Sequence, residues 1–181
     1  MDLNQLQKSL GDNAAEQSLP PVERWNPAFC GDIDINIARN GQWFYMKSPI
    51  GRKALVRLFS TIIKREDDEY FLVTPVEKVR ITVEDVPFVI TEWEQQDEKL
   101  VVKTQTDDVV VVGEQHPVEL RYDEASQTHI PYVNVRRNLW ARIHQNIFYQ
   151  WAEIARLEEQ DDGSTEALLM SGDYEFSIGQ V

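Results

Sequence analysis

Two pairs of cations stand where an anion could be held. The stretch Pro49-Ile-Gly-Arg-Lys-Ala-Leu-Val-Arg-Leu-Phe-Ser-Thr-Ile-Ile-Lys-Arg65 has the spacing of an amphipathic helix and opens with Arg52 and Lys53. A helix N-terminus carries partial positive charge, so cations there are unfavourable unless an anion lies beside them. Arg136 and Arg137 take the same place ahead of a second predicted helix, from about 136 to 159. At about 100° per residue, Arg52 projects into the stripe of Leu55, Phe59 and Ile63, and Arg136 into the stripe of Leu139, Ile143 and Ile147. An arginine on an apolar face needs a carboxylate or a phosphate for its forked donors. One reading is an internal salt bridge, with Asp32, Asp34 or Glu77 as partner. The other is an anion pocket between two related units, built from the helix N-termini with Arg52, Lys53, Arg136 and Arg137.

Other residues could join such a pocket. Thr74-Pro-Val-Glu-Lys78 ends a predicted strand and could bring the Thr74 hydroxyl and the Lys78 ammonium to it; taken alone, the segment is a turn with an exposed ion pair. Trp43 or Trp25 could stack on a base. Asp32 and Asp34 lie on one face of a predicted strand and could hold a divalent cation, or serve as arginine partners. Cys30 would need a cationic or histidine neighbour to become a nucleophile, and the spacing selects none of His116, His129 and His144; a small buried cysteine is the expectation. Phosphate-binding glycine loops, zinc spacings and the familiar hydrolase motifs are absent from the sequence.

The elements that must position these residues read as follows. Residues 1–21 form a predicted tail with Leu3, Leu6 and Leu10 and the double proline Pro20-Pro21. Ile33, Ile35 and Ile37 alternate with polar residues ahead of Asn40-Gly41, a two-residue hairpin signal. That turn would pair Ile37 with Phe44 and Ile35 with Met46, and put Trp43 on the opposite face with Asp32 and Asp34. The helix and the strand Tyr70–Thr74 follow. Residues 79–113 read as an antiparallel meander in which Val109–Val112 is buried on both faces. A second hairpin through Val118, Leu120, Tyr122 and Ile130–Val135, a long helix, and strands at 167–170 and 174–178 complete the chain. The expected class is α+β: duplicated hairpin, helix and strand units with mixed and antiparallel sheets. The expected domains are 22–85 and 86–181.

The 181 residues carry 31 acids against 18 bases, a net charge of -13, with 42% hydrophobic residues and a single cysteine. The charge disfavours nucleic acid and anionic membrane as partners. No apolar run is long enough to span a bilayer as a helix, and the start resembles no signal peptide, so a cytoplasmic location is expected.

Several longer stretches carry a resemblance. They are Trp25-Asn-Pro-Ala-Phe-Cys-Gly-Asp-Ile-Asp34, Gly41-Gln-Trp-Phe-Tyr45, Pro49-Ile-Gly-Arg-Lys53, Val56-Arg-Leu-Phe-Ser-Thr-Ile-Ile63, Tyr70-Phe-Leu-Val-Thr-Pro-Val-Glu-Lys78 and Ile81-Thr-Val-Glu-Asp-Val-Pro-Phe88, with Pro131-Tyr-Val-Asn-Val-Arg-Arg137 and Ile147-Phe-Tyr-Gln150 later. Together they resemble the bacterial domain-of-unknown-function family numbered 1285. The resemblance implies a duplicated α+β architecture whose second domain is superficially pleckstrin-homology-like. It also implies a site between the domains for a nucleotide-like ligand and a role in signal transduction. It carries over no catalytic residue.

Three functions are therefore weighed: a ligand-binding or sensing protein for an anionic small molecule, an interaction module whose acidic surface or edge strand meets a basic protein, and a phosphohydrolase using Asp32, Asp34 or Cys30. The first is preferred, with no catalytic or metal residue assigned and the cofactor unknown.

Overall fold

The alternation of Ile33, Ile35 and Ile37 does produce a strand buried on one face, β1 (Phe29–Ile37). The computed structural model describes residues 19–181, so Leu3, Leu6 and Leu10 of the expected tail lie outside the described residues. The chain divides after Asp85 into two compact units. Strand makes up 53% of the structure and helix 13%, which makes the fold sheet-rich with few helices.

In the first unit a 3-10 turn (Val22–Arg24) leads into β1, β2 (Trp43–Tyr45), β3 (Ser48–Pro49), α1 (Lys53–Ser60), β4 (Ile63–Glu66), β5 (Glu69–Val73) and β6 (Lys78–Val83). These strands form one sheet in the order β3-β2-β1-β6-β5-β4, with β1 and β6 parallel at its centre. The Asn40-Gly41 signal marks a hairpin, but the loop is one residue longer than expected. Ala38 N–H donates to Gln42 C=O and Gly41 N–H to Ala38 C=O, with Gly41 at φ 88. This is a type I turn closed by a glycine in the left-handed region. Ile37 therefore pairs with Trp43 and Ile35 with Tyr45. A one-residue slip moves every side chain to the other face, and Trp43, expected opposite the isoleucines, joins their face at 2% exposure. Glu84 fastens the loop to the end of β6 by accepting from Asn36 Nδ2 and Arg39 N–H.

The first helix is shorter than its periodicity suggested. Ser60 and Thr61 hydroxyls return to the carbonyls of Arg57 and Leu58 and close the last turn. Ile62 follows in the turn and Ile63 opens β4, so both are buried without being helical. Leu55 and Phe59 are the buried hydrophobic residues of α1.

The second unit contains β7 (Phe88–Gln96), β8 (Lys99–Thr104), β9 (Val109–Val111), β10 (Val118–Asp123), β11 (Thr128–Arg136), β12 (Leu139–Ile143), α2 (Gln145–Ile154), β13 (Arg156–Glu159), β14 (Thr165–Ser171) and β15 (Tyr174–Gln180). Its large sheet runs β10-β11-β12-β7-β8-β9, with β7 and β12 parallel; β13, β14 and β15 make a separate antiparallel sheet. Counted from the first strand of each six, both large sheets have the order 3-2-1-6-5-4. The duplication thus lies in the sheets. The helices do not correspond: α1 stands between the third and fourth strands of its sheet, whereas α2 follows the sixth.

Residues 136–143 are not helical: Leu139, Ala141 and Ile143 are buried alternately with half-buried Trp140 and Arg142, the period of two that marks a strand. Val109–Val111 is an edge strand with Val109 and Val111 exposed, because nothing in its sheet lies beyond it; only Val112 is buried. No helix among the described residues is long and apolar enough to cross a membrane.

Phe59 has no exposed surface, and removing a buried phenylalanine side chain costs about 3–5 kcal/mol. Phe59→Ala should therefore lower the urea midpoint of unfolding by a corresponding amount, whereas Ala54→Ser on the exposed face of α1 should leave it nearly unchanged.

Candidate functional site

The start of α1 retains the feature that drew notice in the sequence. Gly51 and Arg52 bring the chain out of β3, and Arg52 is the N-cap in an extended conformation (φ -84, ψ 100). It sits outside the helix, exposed, and not on the apolar stripe as expected. Helix bonding begins with Leu55 and Val56 donating to Arg52 C=O, so the amides of Lys53 and Ala54 precede the first intrahelical bond. No side chain caps this end and no acid lies in the first turn. Lys53 is exposed as well. Neither Arg52 nor Lys53 has a carboxylate partner among the described residues.

The other cations of this unit are engaged. Arg80 grips Asp32 with two donors, Nε at 2.7 Å and Nη2 at 3.2 Å, and reaches Glu69 at 3.1 Å. Asp32 is thus the partner of Arg80, not of Arg52. Asp34 shares the exposed side of β1 with it. Lys78 donates to Glu66 at 2.6 Å and lies 4.3 Å above the Phe71 ring, so it belongs to a sheet-face ladder with Lys64, Arg80 and Phe29. Lys64 also donates to Trp25 C=O and Asn26 Oδ1, which holds half-buried Trp25 beside β4. Thr74 is fully buried and its hydroxyl accepts from Val76 and Glu77 N–H, closing the turn before β6. Trp43 is core. Cys30 is exposed rather than buried, with its thiol directed to Ala28 C=O.

In the second unit Arg136 is an internal ion pair. Its side chain is 9% exposed, donates to Asp108 Oδ1 at 2.6 Å and lies 4.8 Å over the Phe88 ring. Thr104 and Thr106 hydroxyls donate to the other Asp108 oxygen, at 3.0 and 2.7 Å. Burial pushes the Arg136 guanidinium below its ordinary value, while Asp108 pulls it back up. Arg137 is exposed in the β11–β12 turn at φ 51. The structure therefore separates the four cations by role: Arg136 is locked, Arg137 occupies a turn, and Arg52 and Lys53 stand open.

A further cluster went unnoticed in the sequence. Arg121 lies 4.7 Å over the Tyr132 ring and 5.0 Å over the Trp140 ring, with Glu119 at 3.4 Å from its Nε. Arg142 follows Trp140 by two residues on the same strand face. The signal was the alternation Trp140-Ala-Arg142, hidden by assigning these residues to a helix. The histidines serve locally: His116 Nδ1 meets Asn134 C=O, His129 packs on Tyr122, and His144 caps α2 by accepting from Asn146 N–H. Among the described residues no three His, Cys, Asp or Glu groups gather as a metal cluster.

Comparison with known proteins places this geometry. Residues 20–86 match the model of the DUF1285 N-terminal domain, described as a domain of unknown function, and residues 87–178 match the DUF1285 C-terminal domain, described as a protein of unknown function. A crystal structure of a DUF1285 family protein from Silicibacter pomeroyi DSS-3 is 42% identical, with a TM-score of 0.81, over 96% of this chain and 95% of that one. Another, from Shewanella baltica OS155, is 30% identical, with a TM-score of 0.53, over 66% of this chain and 90% of that one. No curated protein matches the chain.

Two measurements test the electrostatics. Asp108→Ala strands a buried guanidinium and should cost about 3–5 kcal/mol, seen as a lower denaturation midpoint; adding Arg136→Met should recover much of that loss. The hydrogen bond from Lys78 holds the Glu66 carboxyl below its ordinary 4.5. A lowered carboxylate stabilises the fold above its unfolded pKa and loses that contribution as pH falls through the folded one. Between pH 6 and pH 3, Glu66→Gln should therefore lose less stability than the parent in urea titrations.

Proposed function

The chain belongs to the DUF1285 family, and with that as premise we propose that it is a cytoplasmic bacterial sensing protein that binds an anionic, nucleotide-like small molecule and acts in signal transduction. The observation that carries this reading is the open start of α1. In a chain with 31 acids and 18 bases, two adjacent exposed cations without a carboxylate among the described residues stand at the end of a helix whose dipole also disfavours them. A bound phosphate or carboxylate relieves both costs, because the free amides of the first turn and the guanidinium fork are donors suited to its oxygens.

In this reading Arg52 contacts the charge and Lys53 attracts it, whereas Trp25 is held beside β4, at the opposite edge of the sheet from β3 and the start of α1. Thr74, Lys78, Trp43 and Arg136 shape the surrounding sheets through the partners already described. The superficially pleckstrin-homology-like character of the second domain is what the family resemblance implies, and its antiparallel meanders followed by α2 are compatible with it.

The test is a thermal-shift series against inorganic phosphate, nucleoside mono-, di- and triphosphates and cyclic dinucleotides. A ligand at a hundred times its Kd should add about 2.7 kcal/mol, several degrees for a protein of this size. Arg52→Ala with Lys53→Ala should remove the shift while leaving the unliganded melting temperature in place, since neither side chain holds a partner among the described residues. The same shift in that variant, or no shift with any compound, would sink the proposal.

A further inference from the structure

We infer that the outer edge of β9 and the groove beside it dock an extended, basic segment of a partner protein. Among the described residues β9 ends its sheet and is paired only with β8. Thr104 N–H donates to Asp108 C=O and Val112 N–H donates to Leu100 C=O. Strand alternation therefore turns the backbone groups of Asp108, Val110 and Val112 toward β8, and those of Val109 and Val111 away from it. The side chains of Val109 and Val111, 61% and 42% exposed, stand together on one face.

Beside this edge lies a groove of about 650 Å³ that takes in Val109–Gly113 and is faced by Lys99, Glu114, His116 and the β14–β15 turn with Asp173. The far wall is fixed. Ser171 Oγ donates to Val112 C=O at 2.6 Å and accepts from Leu100 N–H at 2.9 Å, Gly172 N–H donates to Glu98 C=O at 2.8 Å, and Tyr174 OH accepts from Val118 N–H at 3.0 Å. These bonds anchor the turn on the β8 side of Val112 and leave the outward backbone groups of Val109 and Val111 open; an exposed strand edge is the form that receives an added strand.

Charge selects the occupant. Glu114 and Asp173 have no ion-pair partner among the described residues, and with Lys99 they leave the groove acidic within a chain of net charge -13. A partner strand with basic side chains beside its apolar ones meets both the valines and the acids. A second copy of this chain fits less well, because both bodies would carry the same net charge of -13.

The probe is the peptide acetyl-Arg-Thr-Val-Thr-Val-Arg-amide, with a counterpart carrying Glu for Arg, titrated into the full ¹⁵N-labelled chain. Saturable shifts at the amides of Val109 and Val111, with at least tenfold weaker binding of the Glu peptide, are expected. Val111→Pro removes an outward amide while sparing the ladder to β8 and should weaken binding at least tenfold. Asp173→Lys, on the exposed turn, should do the same without touching β9. Arg52→Ala should leave the affinity unchanged, because the edge is independent of the anion proposal. Equal affinity for the two peptides, no saturable shift, shifts confined to other strands, or self-association in sedimentation that Val111→Pro abolishes would each overturn the inference.

Discussion

Each large sheet depends on a parallel pair at its centre, β1 with β6 and β7 with β12. Parallel neighbours cannot be joined by a tight turn. The chain must therefore leave the first strand, build an antiparallel meander on one side, cross over, and build a second that returns beside the start. The strand order 3-2-1-6-5-4 follows from that closure. It also fixes which strands become edges. The third and fourth of each six are always outermost, next to the crossover, and three of these four have no more than four residues: β3, β4 and β9. Short edges limit unwanted pairing, and β9 is the one whose side chains are exposed valines.

The same topology explains why the helices are not equivalent. In the first unit α1 forms part of the crossover between the two meanders, whereas in the second a loop containing the Gly113–His116 bridge does so. α2 is instead added after the sheet closes and buries Ile147 and Trp151. Trp151 packs edge-on against Trp93 of β7 and Phe176 of β15, so one residue links the large sheet to the small one. A helix-to-helix alignment of the two halves had no structural basis, although the sheets are duplicates.

What was legible in the sequence was local. The isoleucine alternation, the Asn40-Gly41 turn and the last hairpin around Gly172 appear where the residues indicated them, and a helix lies within the amphipathic stretch 49–65, though only over Lys53–Ser60. What was illegible depended on counts or on distant partners. Asn40-Gly41 fits a two-residue or a three-residue loop, and only the second puts the large Trp43 ring beside Ile37. Leu139, Ile143 and Ile147 satisfy helical spacing, yet the chain changes from strand to helix at His144, between the second and third of them. Val109–Val111 reads as core until its place at an edge is known. The partners of Asp32 and Arg136 lie 48 and 28 residues away in the chain, and no spacing rule reaches that far.

The acidic balance gives the open cations their meaning. With 31 carboxylates available to 18 bases, pairing is the ordinary fate of a cation here. Lys64, Lys78, Arg80, Lys103, Arg121 and Arg156 all meet acids within 4.0 Å. Burial alone does not decide the matter, since Arg136 is paired at 9% exposure and Arg156 at 63%. An isolated surface pair contributes little, about 0–1 kcal/mol, so the lack of one beside Arg52 and Lys53 costs the fold little in lost attraction. The cost is the repulsion between neighbouring charges and the adverse helix end, where an aspartate or serine N-cap would have been favourable by about 1 kcal/mol. A sequence that places arginine at the cap and lysine after it, with acids plentiful elsewhere, has given up that stability at a helix terminus that no side chain caps and whose first turn holds no acid.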